Sequence, residues 1–441
     1  MHVLVVGAYG FIGRGVVAAL RRAGHRITGA GRDLALGRRL VPEIEWLYTD
    51  FNEDLDPVIW AERLQALETP VDAVVNCVGI LQSDLSDKAA RVHGAGAEAL
   101  FFGAERAGVD RVVHLSATTV YHDEVDRPRV VDTDYGLSKA AGEQSLAATD
   151  LNWTIVRPCL VLGEGSQGGA LLMRALAGLP FYTPVPAPGT QSFQPIALTD
   201  LAEGIVRLVE DKSGAFRERG VYAVGPEVKT LVEIIGQYRS WLGFAPSKLW
   251  LVPGWLMGLM VRVGDFVALF GNRTALRRAS LEQMAHFREH DPVPFQKLIG
   301  RKLQTMFEQL DGRPATFPDR QHARTAFVWP VLQWGLGLSW IFLGLRQLVD
   351  VDLTDMFKGA HFAIATGMII FSSLLSIVAG GLFLSKRWLR LGGLIKLWLV
   401  VAASFWGLQY ISSVAWALEW GIGVVVSVAL ILLVMGMSEK R

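Results

Sequence analysis

The heptapeptide Gly7-Ala8-Tyr9-Gly10-Phe11-Ile12-Gly13 constrains this chain most. It stands between a β-branched run, His2 to Val6, and a helically patterned stretch from Phe11 to about Ala23. Glycine is required where the chain turns tightly, where backbone must approach a pyrophosphate, and where helix packs on sheet. The helix N-terminus then offers unpaired N–H groups to phosphate oxygens. Gly7, Tyr9, Gly10, Phe11, Ile12 and Gly13 are therefore the candidate phosphate turn of a dinucleotide site.

The same alternation continues: strands at Arg26 to Ala30, Ile44 to Tyr48, Ala73 to Val78, Arg111 to Leu115 and Trp153 to Arg157, with a helix around Ala89 to Ala107. Strands that are apolar throughout, separated by helices, predict a parallel sheet covered on both faces, a doubly wound α/β Rossmann domain. Gly and Pro crowd Gly163 to Pro195, as loops over a small substrate-binding lobe would. Asp200 is expected to cap a following helix, and Val221 to Val224 to form another strand.

The second strand ends Gly29-Ala30-Gly31-Arg32-Asp33. A guanidinium at this tip pairs with a 2′-phosphate, so Arg32, with Arg38 or Arg39, favours NADP; Asp33 as a ribose ligand would instead admit NAD. Cys77 and Cys159 stand in no metal or redox spacing and are expected as buried, reduced thiols, and no metal site is expected. With 43 basic and 42 acidic residues the net charge is +1, which gives no field for nucleic acid. The N-terminus enters a strand directly, without the pattern of a secretory signal, so the first domain is expected in the cytoplasm.

The apolar fraction is 51%, and most of the excess follows residue 325. Thr325 to Leu345, Phe362 to Leu384, Leu391 to Ser412 and Ala415 to Met437 each approach the roughly 20 apolar residues that cross a bilayer core. The acidic loop with Asp350, Asp352 and Asp355 faces out by charge, whereas Lys386, Arg387, Arg390 and the tail Lys440-Arg441 face in. These features predict an inner-membrane, multi-pass protein with both termini cytoplasmic. The expected organisation is thus a nucleotide-binding domain at 1–246, a helical connector at 247–324, and a four-helix membrane domain at 325–441. Within the connector, Trp250 to Phe270 reads either as an amphipathic helix on the bilayer surface or as a core helix.

The glycine turn, Asn76-Cys77-Val78-Gly79, Tyr135-Gly136-Leu137-Ser138-Lys139 and Val156-Arg157-Pro158 follow one another as in the extended and atypical short-chain dehydrogenase/reductases, which residues 1–246 resemble. The tail from about 325 resembles DoxX-like four-helix membrane domains. The reductase resemblance implies that Tyr135 exchanges a proton with a carbonyl or alcohol while Lys139 holds the nicotinamide ribose and lowers the tyrosine's pKa. It also implies adenine contacts at Asp50 and Phe51, and cofactor contacts at Cys77, Val78, Gly79 and Pro158. Aligning Val120-Tyr121 with the family's V-Y pair puts Ala117 where a catalytic Ser or Thr belongs, with Ser116 and Thr118 on either side. In this respect the chain is similar to atypical members such as an accessory subunit of respiratory complex I that binds NADPH structurally.

Two functions follow as expectations: a membrane-anchored NADP(H)-dependent oxidoreductase for a carbonyl or alcohol, lipid- or quinone-like, or a non-catalytic NADP(H)-binding sensor or structural subunit with membrane-protein partners. His93 and His114 are expected as core histidines. Tyr121, His122 and Asp123, and the loop Gln191 to Gln194, are weaker candidates for lining the cleft.

Overall fold

The computed structural model describes residues 1–80, 89–122, 128–268, 281, 286–350, 360–385, 389, 391 and 393–395. Seven strands form one sheet: β1 (His2–Val6), β2 (Arg26–Gly31), β3 (Glu45–Tyr48), β4 (Ala73–Asn76), β5 (Arg111–Leu115), β6 (Asn152–Pro158) and β7 (Arg219–Ala223). All pairings are parallel, in the order β7-β6-β5-β4-β1-β2-β3. Side chains alternate across a strand, so Val3 and Val5 enter the core on one face while Leu4 and Val6 enter the core on the other. Burial on both faces explains why β1 carries no polar residue after His2, each such side chain contributing about 1.5–3 kcal/mol.

Helices α1 (Phe11–Arg22), α2 (Leu34–Leu40), α3 (Pro57–Gln65), α4 (Gly96–Arg106) and α5 (Asp134–Ala147) cover the sheet; α6 (Gly168–Ala177), α7 (Leu198–Glu210) and α8 (Leu231–Trp241) follow. Val16, Val17 and Leu20 of α1 are buried against the first core, while Arg21 and Arg22 suit the negative end of its dipole. The helix expected over Ala89 to Ala107 is divided. A π-helical turn, Ala90–Ala95, precedes α4 and rotates His93 into the interior, where it is 2% exposed.

Asp200 does not cap a helix. Ala197 occupies the cap of α7, and Asp200, fully buried in its first turn, accepts from Arg301 Nη2 at 2.7 Å and from the Gln304 amide at 2.7 Å. The carboxylate is drawn to a guanidinium 101 residues away, a partner no local pattern announces. Helix Val293–Ile299, in the stretch expected as a connector, likewise joins the first core. Its Phe295 is fully buried over Gly204, where a Cβ would lie 2.2 Å from the ring. The chain divides into one compact unit of Met1–Asp265 with Arg273–Ala323 and another of Phe266–Asn272 with Arg324–Arg441.

Trp250 begins no helix: Lys248–Val252 is a strand paired parallel with Tyr182–Pro186, and Pro253 separates it from helix Gly254–Ala268. That helix exposes Trp255, Leu259, Val263 and Phe266, spaced along one face. Phe270 lies outside the described residues. In the second unit, helices Val328–Val349 and Ala360–Leu384 cover much of the first two apolar stretches. They approach closely at Gly337 and Gly380, and Gln333 Nε2 donates to Phe383 O at 3.0 Å. Among the described residues no helix is long and apolar enough to cross a membrane. The fourth apolar stretch, nearly all of the third, and the charged residues Asp352, Asp355, Lys386, Arg387, Arg390, Lys440 and Arg441 lie outside the described residues.

Candidate active site

Strand order reverses between β1 and β4, and the crevice beyond their carboxyl ends is where an open α/β sheet binds ligand. Gly7 takes φ +79°, a conformation glycine adopts without strain, and a Cβ there would stand 3.2 Å from the Cys77 carbonyl. At Gly13 a Cβ would stand 2.2 Å from Gly7 O, so only glycine lets α1 start against the turn. The Gly10 amide donates to Gly7 O at 2.9 Å, and Gly10 caps α1 without a side-chain acceptor. Bare backbone at the positive end of a helix fits a dinucleotide's diphosphate, as the sequence implies for Gly7, Gly10, Phe11, Ile12 and Gly13.

Tyr9 points towards the end of β2 instead. Its ring covers Gly31, where a Cβ would meet Cε1 at 2.4 Å, and stands 5.9 Å from the Trp46 ring. Arg32 is exposed at the tip of β2. Asp33 is the N-cap of α2 and accepts from the Leu36 amide at 2.8 Å. Asp50 folds onto its own turn, accepting from the Asn52 amide at 2.9 Å, while Phe51 is buried edge-on against Trp60. Phe51 is thereby a wall of the core rather than an open contact surface.

Beyond β4, the Cys77 amide donates to Val6 O at 2.9 Å and the Val78 amide to Asn76 Oδ1 at 3.0 Å, which holds the Cys77–Gly79 loop over the glycine turn. Thr133 caps α5 by accepting from the Gly136 amide at 3.1 Å, and Tyr135 and Lys139 follow on that helix one turn apart. Lys139 Nζ donates to Leu115 O at 2.9 Å and lies 3.5 Å from Val78 O. Gly79 stands beneath two side chains, and a Cβ there would make ordinary contact with Lys139 Nζ at 3.4 Å and His93 Nε2 at 3.8 Å. The structure thus brings Cys77, Val78, Gly79, Tyr135 and Lys139 together, with Pro158 buried at the end of β6.

The electrostatics differ from the expected pairing. Burial pushes the Tyr135 hydroxyl up to about 12, and no lowering by Lys139 offsets it. Burial lowers Lys139 to about 8, with Glu143 and then Cys77 acting in the opposite sense, and burial raises the Cys77 thiol to about 12 despite Lys139. Ser116 and Thr118, on either side of Ala117, have different surroundings. Ser116 Oγ is buried without a partner, and the Thr118 hydroxyl is bonded towards Cys159 at the end of β6. Ala117 is itself buried, as the sequence alignment leaves it.

At the sheet's carboxyl edge the structure adds Glu143, Tyr222, Arg288 and His290, none of which the sequence singles out. Arg157 forms a buried ion pair with Glu143, 2.9 Å from Nε to Oε1, and its guanidinium lies 5.5 Å from the Tyr222 ring. His290 stacks on Tyr222 with ring centres 4.0 Å apart, and Arg288 stands 4.2 Å over Tyr121. Gln194, from the loop weakly expected to line the cleft, holds this segment in place. It donates to His290 O at 2.8 Å and accepts from its amide at 3.1 Å. The His122 amide donates to Tyr222 at 3.0 Å, and Asp123 lies outside the described residues. Among the described residues no three His, Cys, Asp or Glu side chains gather as metal ligands do.

Residues 3–225 match the NAD dependent epimerase/dehydratase family. A curated Streptomyces protein, 3-diazoavenalumate denitrifying reductase, is 25% identical over 302 residues, which cover 63% of this chain and 95% of that protein. Among solved structures, UDP-glucuronic acid 4-epimerase from Bacillus cereus, in complex with UDP-glucuronic acid and NAD, superposes with a TM-score of 0.53 at 17% identity. The match covers 74% of this chain and all of that one. An epimerase from Methanothermobacter thermautotrophicus gives 0.54 at 17% identity, over 74% and 93%. At these identities the structural matches show a shared fold.

Proposed function

The chain belongs to the NAD dependent epimerase/dehydratase family, as an NAD(P)-dependent epimerase or oxidoreductase, and from that premise we propose that it is a membrane-anchored, NADP(H)-preferring oxidoreductase of a carbonyl or alcohol. The observation that carries this reading is Lys139 Nζ held over the Cys77–Gly79 loop one helical turn from Tyr135, whose ring packs edge-on against His93. Arg32 at the β2 tip supports NADP, and a denitrifying reductase among the relatives supports net reduction over epimerisation.

When bound, the dinucleotide supplies or accepts the hydride at its nicotinamide. Tyr135, pushed up to about 12, is fully protonated at neutral pH and suits the donor's role: as hydride reaches a carbonyl carbon, its proton passes to the oxygen, and solvent reprotonates the phenolate. Lys139, at about 8, remains largely cationic at pH 7 and stabilises that developing negative charge. With Ala117 at the Ser/Thr position, carbonyl polarisation falls to Tyr135 alone.

The four apolar stretches support the membrane part of this proposal, with the nucleotide-binding domain and C-terminus cytoplasmic, a hydrophobic lipid- or quinone-like substrate, and membrane-protein neighbours. A second reading, a non-catalytic NADP(H) sensor or structural subunit, is favoured by the unpartnered Ser116 hydroxyl beside Ala117. Titrating detergent-purified wild type and Tyr135→Phe with NADPH and NADH, then adding membrane lipid and quinone extracts, separates the two. Consumption of NADPH by wild type alone supports the oxidoreductase. Equal binding without consumption by either protein supports the sensor.

A further inference from the structure

His93 reads from sequence as a core histidine. The fold places it between the two halves of the candidate site. Its Nε2 accepts from the Ile80 amide at 2.9 Å, at the end of the loop that follows β4. A nitrogen that accepts an N–H carries no proton of its own, so the ring hydrogen of the neutral imidazole resides on Nδ1. Nδ1 stands 2.9 Å from Ser138 Oγ, and that hydroxyl donates to the Tyr135 carbonyl at 2.8 Å. The hydrogens therefore run in one direction, from the Ile80 amide to His93 and from His93 through Ser138 to the backbone of Tyr135.

Two further observations fix the assignment. The His93 ring meets the Tyr135 ring edge-on at 5.6 Å, so it sets the side chain as well as the carbonyl. The π-helical turn Ala90–Ala95 carries His93 at this position, where its Nε2 would stand 3.8 Å from a Cβ at Gly79 and Lys139 Nζ 3.4 Å from the same point. Burial, Lys139 and His114 hold the imidazole well below its ordinary pKa, consistent with one neutral tautomer throughout the neutral range.

We propose that His93 is a positioning residue, a fixed neutral tautomer that locks the Cys77–Ile80 loop in register with the Tyr135 turn of α5 and so seats the nicotinamide end of the cofactor against the proton donor. This rests on the dinucleotide reading of the crevice and makes no demand on which substrate is reduced. His93 works through the loop and through Tyr135 rather than on the reacting atoms. The adenosine end, which the tip of β2 beyond β1 would meet, is the part of the cofactor that His93 does not adjoin.

The test compares full-length wild type, His93→Phe, His93→Gln and Ser138→Ala in detergent, with NADPH as the probe. Dissociation constants report the whole cofactor, the fluorescence gain of bound NADPH reports nicotinamide seating, and hydrogen exchange reports the Ile80 amide. His93→Phe is expected to change the dissociation constant less than about threefold while losing most of the fluorescence gain and speeding Ile80 exchange about tenfold or more. His93→Gln, which keeps a donor and an acceptor, is expected to recover part of both. Ser138→Ala is expected to lower the fluorescence gain with Ile80 exchange unchanged, because it cuts only the link to Tyr135. Wild-type fluorescence gain and Ile80 exchange retained in His93→Phe overturn the proposal. Equal losses in His93→Phe and His93→Gln, with a matching fall in thermal stability, reduce His93 to packing and overturn it too. If wild type binds no NADPH, the dinucleotide reading itself fails, an outcome distinct from these.

Discussion

Arg157 and Glu143 meet in a two-pronged ion pair beneath the candidate site, Nε to Oε1 at 2.9 Å and Nη2 to Oε2 at 2.5 Å, with both side chains almost wholly buried. Glu143 lies one helical turn beyond Lys139 on α5, and Arg157 lies on β6 beside Tyr222 of β7. One pair thus joins α5, which carries Tyr135 and Lys139, to the strand ends that carry the stacked rings.

Removing one partner strands the other charge in the interior. Glu143→Ala is expected to cost about 3–5 kcal/mol, measured by urea unfolding of the detergent-solubilised protein, because Arg157 cannot reach water. Glu143→Gln keeps the shape and one acceptor and is expected to cost less. A loss for Glu143→Ala no larger than that of an exposed carboxylate such as Glu68 would mean that water already screens the pair.

Lys139 gives a pH dependence with a definite sign. Burial holds it at about 8, against an ordinary 10.5, so the folded chain releases this proton before the unfolded chain does. Its burial destabilises the folded state at neutral pH, and that penalty is relieved as pH rises through 8 towards 10.5. Cofactor binding is expected to move the other way, the NADPH dissociation constant rising by up to about tenfold per pH unit above 8 as the cation is lost. Lys139→Gln should flatten this limb. Glu143→Gln should shift it to lower pH, since Glu143 supports the charged lysine. A profile of wild type that stays flat to pH 9.5 would remove Lys139 from cofactor binding.

The glycine turn carries the most geometric prediction. Gly13→Ala forces a Cβ to within 2.2 Å of Gly7 O, backbone that cannot swing aside. It is expected to cost about 1–3 kcal/mol of stability. NADPH affinity is expected to fall about a hundredfold as α1 is pushed away from the turn. A crystal structure or thermal melt showing Gly13→Ala accommodated without movement of α1 would refute the packing argument.

The legible parts of this protein are those set by local periodicity and by one motif. Apolar strands alternating with amphipathic helices announce the sheet, and the spacing of Gly7, Gly10 and Gly13 announces the turn at its reversal point. Tyr135 and Lys139 stand out in the sequence through the family motif they resemble, and α5 sets them one helical turn apart. What the sequence conceals depends on contacts between distant segments. Gln194 grips His290 across 96 residues, and Asp200 grips Arg301 across 101, so a stretch that reads as a polar connector returns to the carboxyl edge of the sheet. His93 is hidden for a different reason. A single π-helical turn changes which way it faces, and no periodicity of 3.6 residues foretells that insertion.

The proposed preference for NADP rests on Arg32. It is exposed at the end of β2, the strand whose tip meets the adenosine ribose in this fold, while Asp33 is committed to capping α2 through the Leu36 amide. That cap engages one carboxylate oxygen and leaves the other for a ribose hydroxyl, whereas a 2′-phosphate would gain a charge-assisted bond to the guanidinium. Such a bond contributes about 1.5–3 kcal/mol, so Arg32→Ala is expected to weaken NADPH about 10- to 100-fold and leave NADH within about threefold. Parallel fluorescence titrations with both cofactors measure the ratio directly. If Arg32→Ala weakens both equally, the guanidinium serves the turn rather than the phosphate, and the preference for NADP falls with it. If wild type binds NADH more tightly than NADPH, the second carboxylate oxygen of Asp33 makes the ribose contact instead.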